Sequence, residues 1–222
     1  AKILGRKSDI STYEAQISVL CEALKRDYFD EESGEYCRGV QGASAFAVWA
    51  GLAGAETAAK LAAKYDALGH FDTGFLGTEI LVGVLFDYGH EDVALKLLES
   101  EYEGSFLYMK RHGATTIWED WKGKDSHDHP MFGACIRHIY TGLLGIKRSP
   151  SAVEVSPKIP KKLDFVRGAL AVNGGKIAVE IKREGENIAF AIDVPEGVKA
   201  HFNYKGEKLE LHEGRNEILK RG

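Results

Sequence analysis

The sequence predicts a helical domain followed by an antiparallel β-sandwich, because its hydrophobic pattern changes period once along the chain. Up to about residue 147, apolar residues recur every three or four positions, which is typical of amphipathic helices. Beyond Pro150 they alternate with polar residues, and glycine-containing turns recur at intervals of roughly 8–12 residues. We therefore predict two domains, with residues 1–148 helical and residues 149–222 forming the sandwich.

About six helices, packed as antiparallel neighbours, account for the periodic stretches of the first domain. A capping box formed by Ser11 and Glu14 predicts where the first helix begins. The most regular pattern comes last, from Phe132 to Leu144, and predicts a continuous α-helix. The helices between them are predicted over residues 45–52, 57–68, 75–88 and 93–98.

Strands in the second domain follow from strict alternation of apolar and polar residues. The triplet Asn173-Gly174-Gly175 and the single glycines after it mark the turns between them. Regular turn spacing of this kind is typical of an antiparallel sandwich. The predicted strands cover residues 177–181, 188–192 and 198–204.

Composition and charge exclude several classes of protein. The chain has 222 residues, of which 44% are hydrophobic and 28% charged, as in an ordinary folded globular protein. A net charge of −4 and a pI near 6.1 exclude a nucleic acid or an anionic membrane as partner, since either needs a clustered basic face. No apolar run approaches the roughly 20 residues of a membrane span.

Three cysteines, Cys21, Cys37 and Cys135, are widely spaced among apolar neighbours and form no Cys-x-x-Cys pair. That pattern predicts reduced, packed thiols rather than a disulfide framework, a metal site or a redox centre. The first residues, 1–6, also lack the apolar core of a signal peptide. We therefore expect a cytoplasmic protein without a cofactor or a bound metal.

One segment fits neither period and carries the densest chemistry of the chain. Between His112 and Trp121, the tryptophans Trp118 and Trp121 flank two adjacent carboxylates, Glu119 and Asp120. Indole rings stack on the C–H face of a sugar, and carboxylates accept hydrogen bonds from its hydroxyls. Glycoside hydrolysis also requires two carboxyl groups, one as acid and one as base or nucleophile. The segment therefore indicates a carbohydrate site.

Two other interpretations of this segment stay open at the level of pattern. Trp118 and Trp121 are three residues apart, so both could be core residues of a helix whose exposed start carries the carboxylates. His127 and His129, with two aspartates nearby, raise the question of a zinc site. However, histidines two apart converge only in an extended strand or a suitable loop, and no further ligand pair has a zinc-binding spacing.

Four motifs occur in a characteristic order along the chain. Thr73–Thr78 reads Thr-Gly-Phe-Leu-Gly-Thr, residues 113–119 read Gly-Ala-Thr-Thr-Ile-Trp-Glu, and residues 129–133 read His-Pro-Met-Phe-Gly. The fourth, Leu163–Gly168, follows them at the start of the second domain. Together they resemble the bacterial α-L-rhamnosidases of glycoside hydrolase family 78, and the resemblance covers nearly the whole chain.

The resemblance implies a partial (α/α)6 toroid followed by a jelly-roll-like β-sandwich, and hydrolysis of terminal α-L-rhamnosides with inversion. It implies that Glu119 is the general base that activates water, and that His129 contacts the bound rhamnose. Trp118 and Trp121 are expected to wall the same pocket. A rhamnose-containing glycoside is therefore the expected partner.

The same resemblance predicts an incomplete catalytic pair. In the family, the general acid lies in an Asp-Glu-Arg-x-Gly-Trp motif on the N-terminal half of the toroid, and this sequence lacks that motif. The chain is therefore expected to be a C-terminal portion that is inactive by itself. Its helices would expose apolar faces, which either the missing half or a second copy of the chain would cover. The alternative functions are a non-catalytic carbohydrate-binding module and a glycosidase of another specificity on a similar toroid.

Overall fold

The computed structural model describes residues 1–222 and contains seven α-helices followed by two four-stranded sheets. A short hairpin, β1 (Phe29–Asp30) and β2 (Glu35–Tyr36), lies between the first two helices. None of the helices combines the length and the apolar character that crossing a membrane would require. The helices are α1 (Lys7–Tyr28), α2 (Ala43–Trp49), α3 (Ala55–Leu68), α4 (Phe75–Asp87), α5 (Glu91–Leu98), α6 (Phe106–Arg111) and α7 (Ile136–His138).

The first helix begins earlier than the predicted capping box. Its N-cap is Arg6, which makes no side-chain capping bond, and a turn over residues 1–5 leads into it. Ser11 lies inside the helix, where its hydroxyl donates to the Ser8 carbonyl at 2.9 Å. The capping-box prediction was wrong because a serine within a helix can bond back to the preceding turn, so the Ser-x-x-Glu pattern does not distinguish an interior from a start.

The predicted continuous helix over residues 132–144 is divided among three kinds of turn. A 3-10 helix spans Pro130–Cys135, α7 spans Ile136–His138, and a π-helix spans Ile139–Leu143. These turns contain different numbers of residues, so the apolar side chains do not keep to one face. Phe132 and Cys135 are buried, whereas Ile136 is 65% exposed.

Helix α4 lies at the centre of the helical domain. Every residue from Ile80 to Phe86 is buried, and an α-helix that is apolar all round belongs inside a core. Helices α2, α3, α5 and α7 and the 3-10 helix before α7 all contact it. The N-terminal end of α4, at Gly74, therefore leads directly into a buried helix and can position the loops around it.

The β-strands form two sheets. One has the order β10-β7-β6-β5 with antiparallel neighbours, and the other has the order β3-β4-β8-β9, in which β4 and β8 are parallel. The prediction of a purely antiparallel sandwich is wrong at that pair: the chain between β4 and β8 passes through the other sheet, and only such a crossover permits parallel pairing. The strands are β3 (Ile146–Arg148), β4 (Val153–Val155), β5 (Phe165–Val172), β6 (Gly175–Glu184), β7 (Asn187–Val194), β8 (Ala200–Tyr204), β9 (Glu207–Leu211) and β10 (Gly214–Arg221).

The two sheets share one apolar core, which is separate from the core around α4. Phe190 on β7 and Phe202 on β8 meet across it, with ring centroids 4.9 Å apart in an edge-to-face arrangement. Strand β3 begins just before the predicted domain boundary at residue 148, and the exact boundary stays a prediction. The partial toroid and the jelly-roll connectivity also stay predictions.

Backbone N–H groups of the linker between β4 and β5 donate hydrogen bonds to the helical domain. The N–H of Lys158 donates to the Gly142 carbonyl at 2.9 Å, and the N–H of Lys161 donates to Asp92 Oδ1 at 2.7 Å. Leu144, at the end of the last helical segment, is buried in the core of the sheets. The last helix and the linker before β5 are therefore shared between the two parts.

A polar cluster around the buried His138 joins α4 to α7. Glu79 Oε1 lies 3.0 Å from His138 Nε2 and 3.2 Å from Arg137 Nε. Gly83 leaves room for the imidazole, since a Cβ there would lie 2.6 Å from the ring. Burial lowers the pKa of His138 below its usual 6.5, and the neighbouring Glu79 carboxylate opposes this only in part. His138 is therefore neutral at neutral pH in the folded protein.

Stability should depend on pH through His138. The unfolded chain binds a proton there more readily, so the free energy of unfolding should decrease as the pH falls from about 6.5 towards the lower folded pKa. His138→Gln keeps a donor for Glu79 but cannot titrate, and it should flatten this decrease. Urea unfolding at about pH 7 and about pH 5 measures the difference, with the exposed His201→Gln as control. Equal pH dependence in wild type and His138→Gln would contradict the assignment.

Helix α1 carries an exposed apolar row. Its residues recur with helical spacing on one face, yet no residue of α1 is buried. An apolar surface of this kind favours association with another surface. The residues of the row are Tyr13, Ile17, Leu20, Leu24 and Tyr28.

We expect the chain to self-associate through this row. Light scattering should give a mass above the 24.4 kDa of one chain as concentration rises, and Leu20→Lys should restore the single-chain mass. Ala15→Lys adds the same charge on the opposite side of α1 and should not. Because both positions are exposed, neither variant should change the free energy of unfolding by more than about 0.5 kcal/mol. A wild-type chain that stays at 24.4 kDa would rule out the association.

Candidate functional site

The segment between α6 and the last helical region is placed by Trp121. Residues 113–129 form no helix or strand, so their position depends on side-chain contacts. The Trp121 Nε1–H donates to the Thr73 carbonyl at 2.7 Å, immediately before α4. Its ring stacks on Phe71, with centroids 5.8 Å apart and planes 7° apart, and lies 4.0 Å from the ring of Phe132. The Trp121 side chain therefore anchors the segment at the N-terminal end of α4.

Glu119 has one carboxylate oxygen held and the other free. Its backbone N–H donates to the Ser126 carbonyl at 2.8 Å, and the Ser126 N–H donates to Oε2 at 3.3 Å. His129 Nδ1 lies 3.6 Å from the same Oε2, and Oε1 accepts no hydrogen bond from the protein. The side chain is 41% exposed. A water molecule or a hydroxyl group can therefore reach Oε1.

His129 faces Glu119 through one ring nitrogen and leaves the other unpaired. Its backbone N–H donates to the Ile117 carbonyl at 2.9 Å, and its ring lies 6.0 Å from that of Phe75. The Nε2 atom is buried and has no hydrogen-bond partner in the protein. Buried polar atoms are almost always paired, so an unpaired one marks a place for a ligand or water.

Trp118 lies beneath the loop that carries Glu119. Only 6% of its surface is exposed, and it packs with Met109 and Phe132. The ring of His127 stacks on it at 4.8 Å, and Gly123 lies against the indole so closely that a Cβ there would be 2.7 Å away. Both tryptophans singled out from the sequence are thus part of the site region, as packed side chains rather than open faces.

Asp120 organises the loop between Glu119 and Ser126. Its Oδ1 accepts the N–H of Lys122 at 2.8 Å, and its Oδ2 accepts those of Lys124 and Asp125, each at 2.9 Å. Burial raises the pKa of this carboxyl, but the backbone N–H bonds outweigh it, so the pKa lies below the usual 3.8. The two adjacent carboxylates therefore point to different partners.

The histidines and aspartates that raised the question of a zinc site are separated by their contacts. His127 Nε2 lies 2.9 Å from the Gly123 carbonyl, and His129 faces Glu119. Among the 222 residues, no group of three or more His, Cys, Asp or Glu side chains is placed to hold a metal ion.

The side chains of Glu119 and His129 are partly exposed, at 41% and 26%. A hollow of about 310 Å³ lies beside the segment, lined in part by Ala114, Thr115 and Thr116, but neither Glu119 nor His129 lines it.

The sequence-based prediction of the site did not include Thr73 and Asp120. Thr73 belongs to a motif that the sequence marks as a helix start, and nothing local indicates that its carbonyl binds an indole. Asp120 precedes the short polar stretch Lys122-Gly123-Lys124, and an aspartate before such a stretch often accepts its backbone N–H groups. That signal was present in the sequence.

Comparison with known proteins gives a consistent result. A family model described as the bacterial alpha-L-rhamnosidase 6 hairpin glycosidase domain matches residues 1–143. An α-L-rhamnosidase of Alteromonas sp. (strain LOR) is 28% identical over 233 residues, covering 90% of this chain and 24% of the relative. One from Formosa agariphila is 28% identical over 244 residues, covering 100% and 26%. The chain spans about a quarter of the length of these relatives.

Solved structures show the same fold. The Streptomyces avermitilis α-L-rhamnosidase complexed with L-rhamnose matches with a TM-score of 0.88 at 22% identity, over 100% of this chain and 25% of that one. The native α-L-rhamnosidase of Aspergillus terreus matches with a TM-score of 0.90 at 18% identity, over 98% and 28%. The seven helices and two sheets are therefore an arrangement that recurs in solved proteins.

The Trp121 anchor can be tested by removing its N–H. Trp121→Phe should lower the free energy of unfolding by about 1–3 kcal/mol, because it removes a donor to a buried carbonyl and reduces ring packing. Trp49→Phe is the control, since that indole is 66% exposed and makes no hydrogen bond. Urea unfolding measures both variants, and equal effects would show that Trp121 is not an anchor.

Proposed function

The chain belongs to the bacterial α-L-rhamnosidase six-hairpin glycosidase family, and on that basis we propose that it holds the catalytic base of an α-L-rhamnosidase. The proposed substrate is a terminal α-L-rhamnoside, hydrolysed with inversion. Relatives from Alteromonas and Formosa named as α-L-rhamnosidases support the reaction, and a protein of the same fold complexed with L-rhamnose supports the sugar.

The geometry of Glu119 is the observation that carries the proposal. A general base needs an ionised oxygen that reaches water and a fixed orientation. The Ser126 N–H fixes Oε2, whereas Oε1 is free of protein donors on an exposed side. Glu119 therefore suits the activation of a water molecule at Oε1.

His129 is the proposed sugar contact beside the base. Its Nδ1 lies 3.6 Å from Glu119 Oε2, and its buried Nε2 lacks a partner. A sugar hydroxyl can both donate to and accept from an imidazole nitrogen, so it would pair with Nε2 in either tautomer where a shift of the ring brings this buried atom to the surface. Trp118 and Trp121 form the packed floor that keeps the two polar side chains in place.

The general acid is proposed to come from outside these residues. Inversion requires two carboxyl groups roughly 6.5–9.5 Å apart, with the water between the base and the sugar. The adjacent Asp120 cannot serve as acid, since its carboxylate is bound to its own loop and its pKa is lowered. The isolated chain is therefore expected to bind L-rhamnose with little or no hydrolysis.

A non-catalytic carbohydrate-binding function is the second candidate. It is favoured by one observation: no other carboxyl group contacts Glu119 or His129. The two candidates agree on sugar binding and differ in whether a longer form of the protein hydrolyses the glycoside.

Sugar binding is the first test. Titration with L-rhamnose should give a saturable change in tryptophan fluorescence, and His129→Ala should weaken binding about ten-fold through loss of a hydrogen bond. His112→Ala is the control, because that exposed histidine bonds only to the Tyr108 carbonyl. A wild-type chain that binds no L-rhamnose would refute both candidates.

Hydrolysis is the second part of the same test. The isolated chain should show little or no turnover of an aryl α-L-rhamnoside, and robust turnover would place the acid within these residues. In a longer form that hydrolyses the substrate, Glu119→Gln should lower kcat about 100-fold or more while leaving the fold intact. A near-normal kcat would remove Glu119 from the role of base, and a longer form without turnover would favour the binding module.

A further inference from the structure

The residue after the proposed base has a role of its own. We infer that Asp120 is a positioning residue, whose carboxylate gathers the backbone N–H groups of Lys122, Lys124 and Asp125 and thereby holds the Ser126 N–H against Glu119. The inference rests on the proposed function, since it concerns how the proposed base is oriented.

Trp121 attaches the loop between Glu119 and Ser126 to the start of α4, and the Asp120 carboxylate holds the backbone of the loop itself. Glu119 and Ser126 face each other through a backbone bond of 2.8 Å, so the chain must reverse between them. No residue of this reversal belongs to a helix or a strand, and three of its N–H groups end on Asp120. The Asp120 carboxylate therefore replaces the backbone ladder that a regular turn would supply.

Only a carboxylate suits these donors. An ionised carboxylate is an acceptor at both oxygens, so it can take the Lys122 N–H at Oδ1 and two further N–H groups at Oδ2. An asparagine would present its NH2 group to one side of the loop, where N–H groups already point. One or two of the three bonds would be lost, and the loop would open on that side.

Asp125 provides a matched comparison within the same loop. It is exposed, and its side chain makes no hydrogen bond, although its N–H donates to Asp120. Asp125→Asn therefore removes the same charge as Asp120→Asn from the same loop without removing an acceptor. The pair of variants separates hydrogen bonding from the general effect of charge.

NMR on the full 222-residue chain can test the inference without a substrate. In Asp120→Asn, amide hydrogen exchange at Lys124, Asp125 and Ser126 should accelerate about ten-fold or more, and exchange in β6 and β7 should not change. The Glu119 Cδ resonance should move, because its carboxylate loses the Ser126 N–H. Asp125→Asn should leave both readouts at their wild-type values. A general loss of stability would accelerate exchange in the sheets as well.

L-rhamnose binding gives the functional readout. Asp120→Asn should raise Kd about ten-fold relative to Asp125→Asn, each measured by tryptophan fluorescence. Wild-type Ser126 exchange and Glu119 Cδ resonance in Asp120→Asn would overturn the inference. If Asp120→Asn fails to fold, acidification of the wild-type chain supplies the test. The Lys122 and Lys124 amide resonances, whose N–H groups donate to the two oxygens of Asp120, should move together below about pH 3.8, and independent movement would overturn the inference. If the wild type binds no L-rhamnose, the proposed function fails, and the NMR readouts alone decide the role of Asp120.

Discussion

The hydrogen bond from the Trp121 indole to the Thr73 carbonyl is the contact on which the geometry of the site depends. The segment that carries Glu119 and His129 has no regular secondary structure, so nothing within it determines where it lies. Helix α4 is buried along most of its length, and Thr73 directly precedes it. Through Trp121, the segment takes its position from the most extensively buried helix of the helical domain. A functional loop can then be irregular and still be held in one place.

The interior of that loop follows the same logic on a smaller scale. Asp120 satisfies backbone N–H groups that a helix or a strand would have satisfied, and Gly123 allows the chain to lie flat on Trp118. Glu119 Oε1 and His129 Nε2 are among the polar atoms of this region that have no hydrogen-bond partner in the protein. Buried polar atoms elsewhere in the molecule are nearly all paired, so the unpaired Nε2 is unusual. It belongs to His129, the proposed sugar contact. The loop N–H groups that Asp120 binds therefore lie beside the unpaired atoms of Glu119 and His129, the two residues of the proposed site.

Much of the architecture could be predicted from local periodicity, and the failures have physical causes. The break near residue 148 separates helices from strands because hydrophobic period reports burial directly. The prediction of one continuous helix over residues 132–144 was wrong because helical turns of different size can share the same apolar spacing. The mixture of turns leaves Ile136 exposed. The prediction of antiparallel pairing was wrong for β4 and β8. Parallel pairing depends on the path of the chain between the strands, and the alternation of apolar and polar residues does not record that path.

The sequence by itself determined the order of the two domains, the family through its motifs, and the candidates Glu119 and His129. These follow from residue type and spacing, which are properties of short stretches. Only the tertiary structure decided that Trp118 and Trp121 are packed side chains, that Asp120 turns towards its own loop, and that Glu119 keeps one oxygen free. Those outcomes depend on which groups meet across the fold, such as Thr73 with Trp121. Contacts between residues far apart in the chain leave no periodic signal in the sequence.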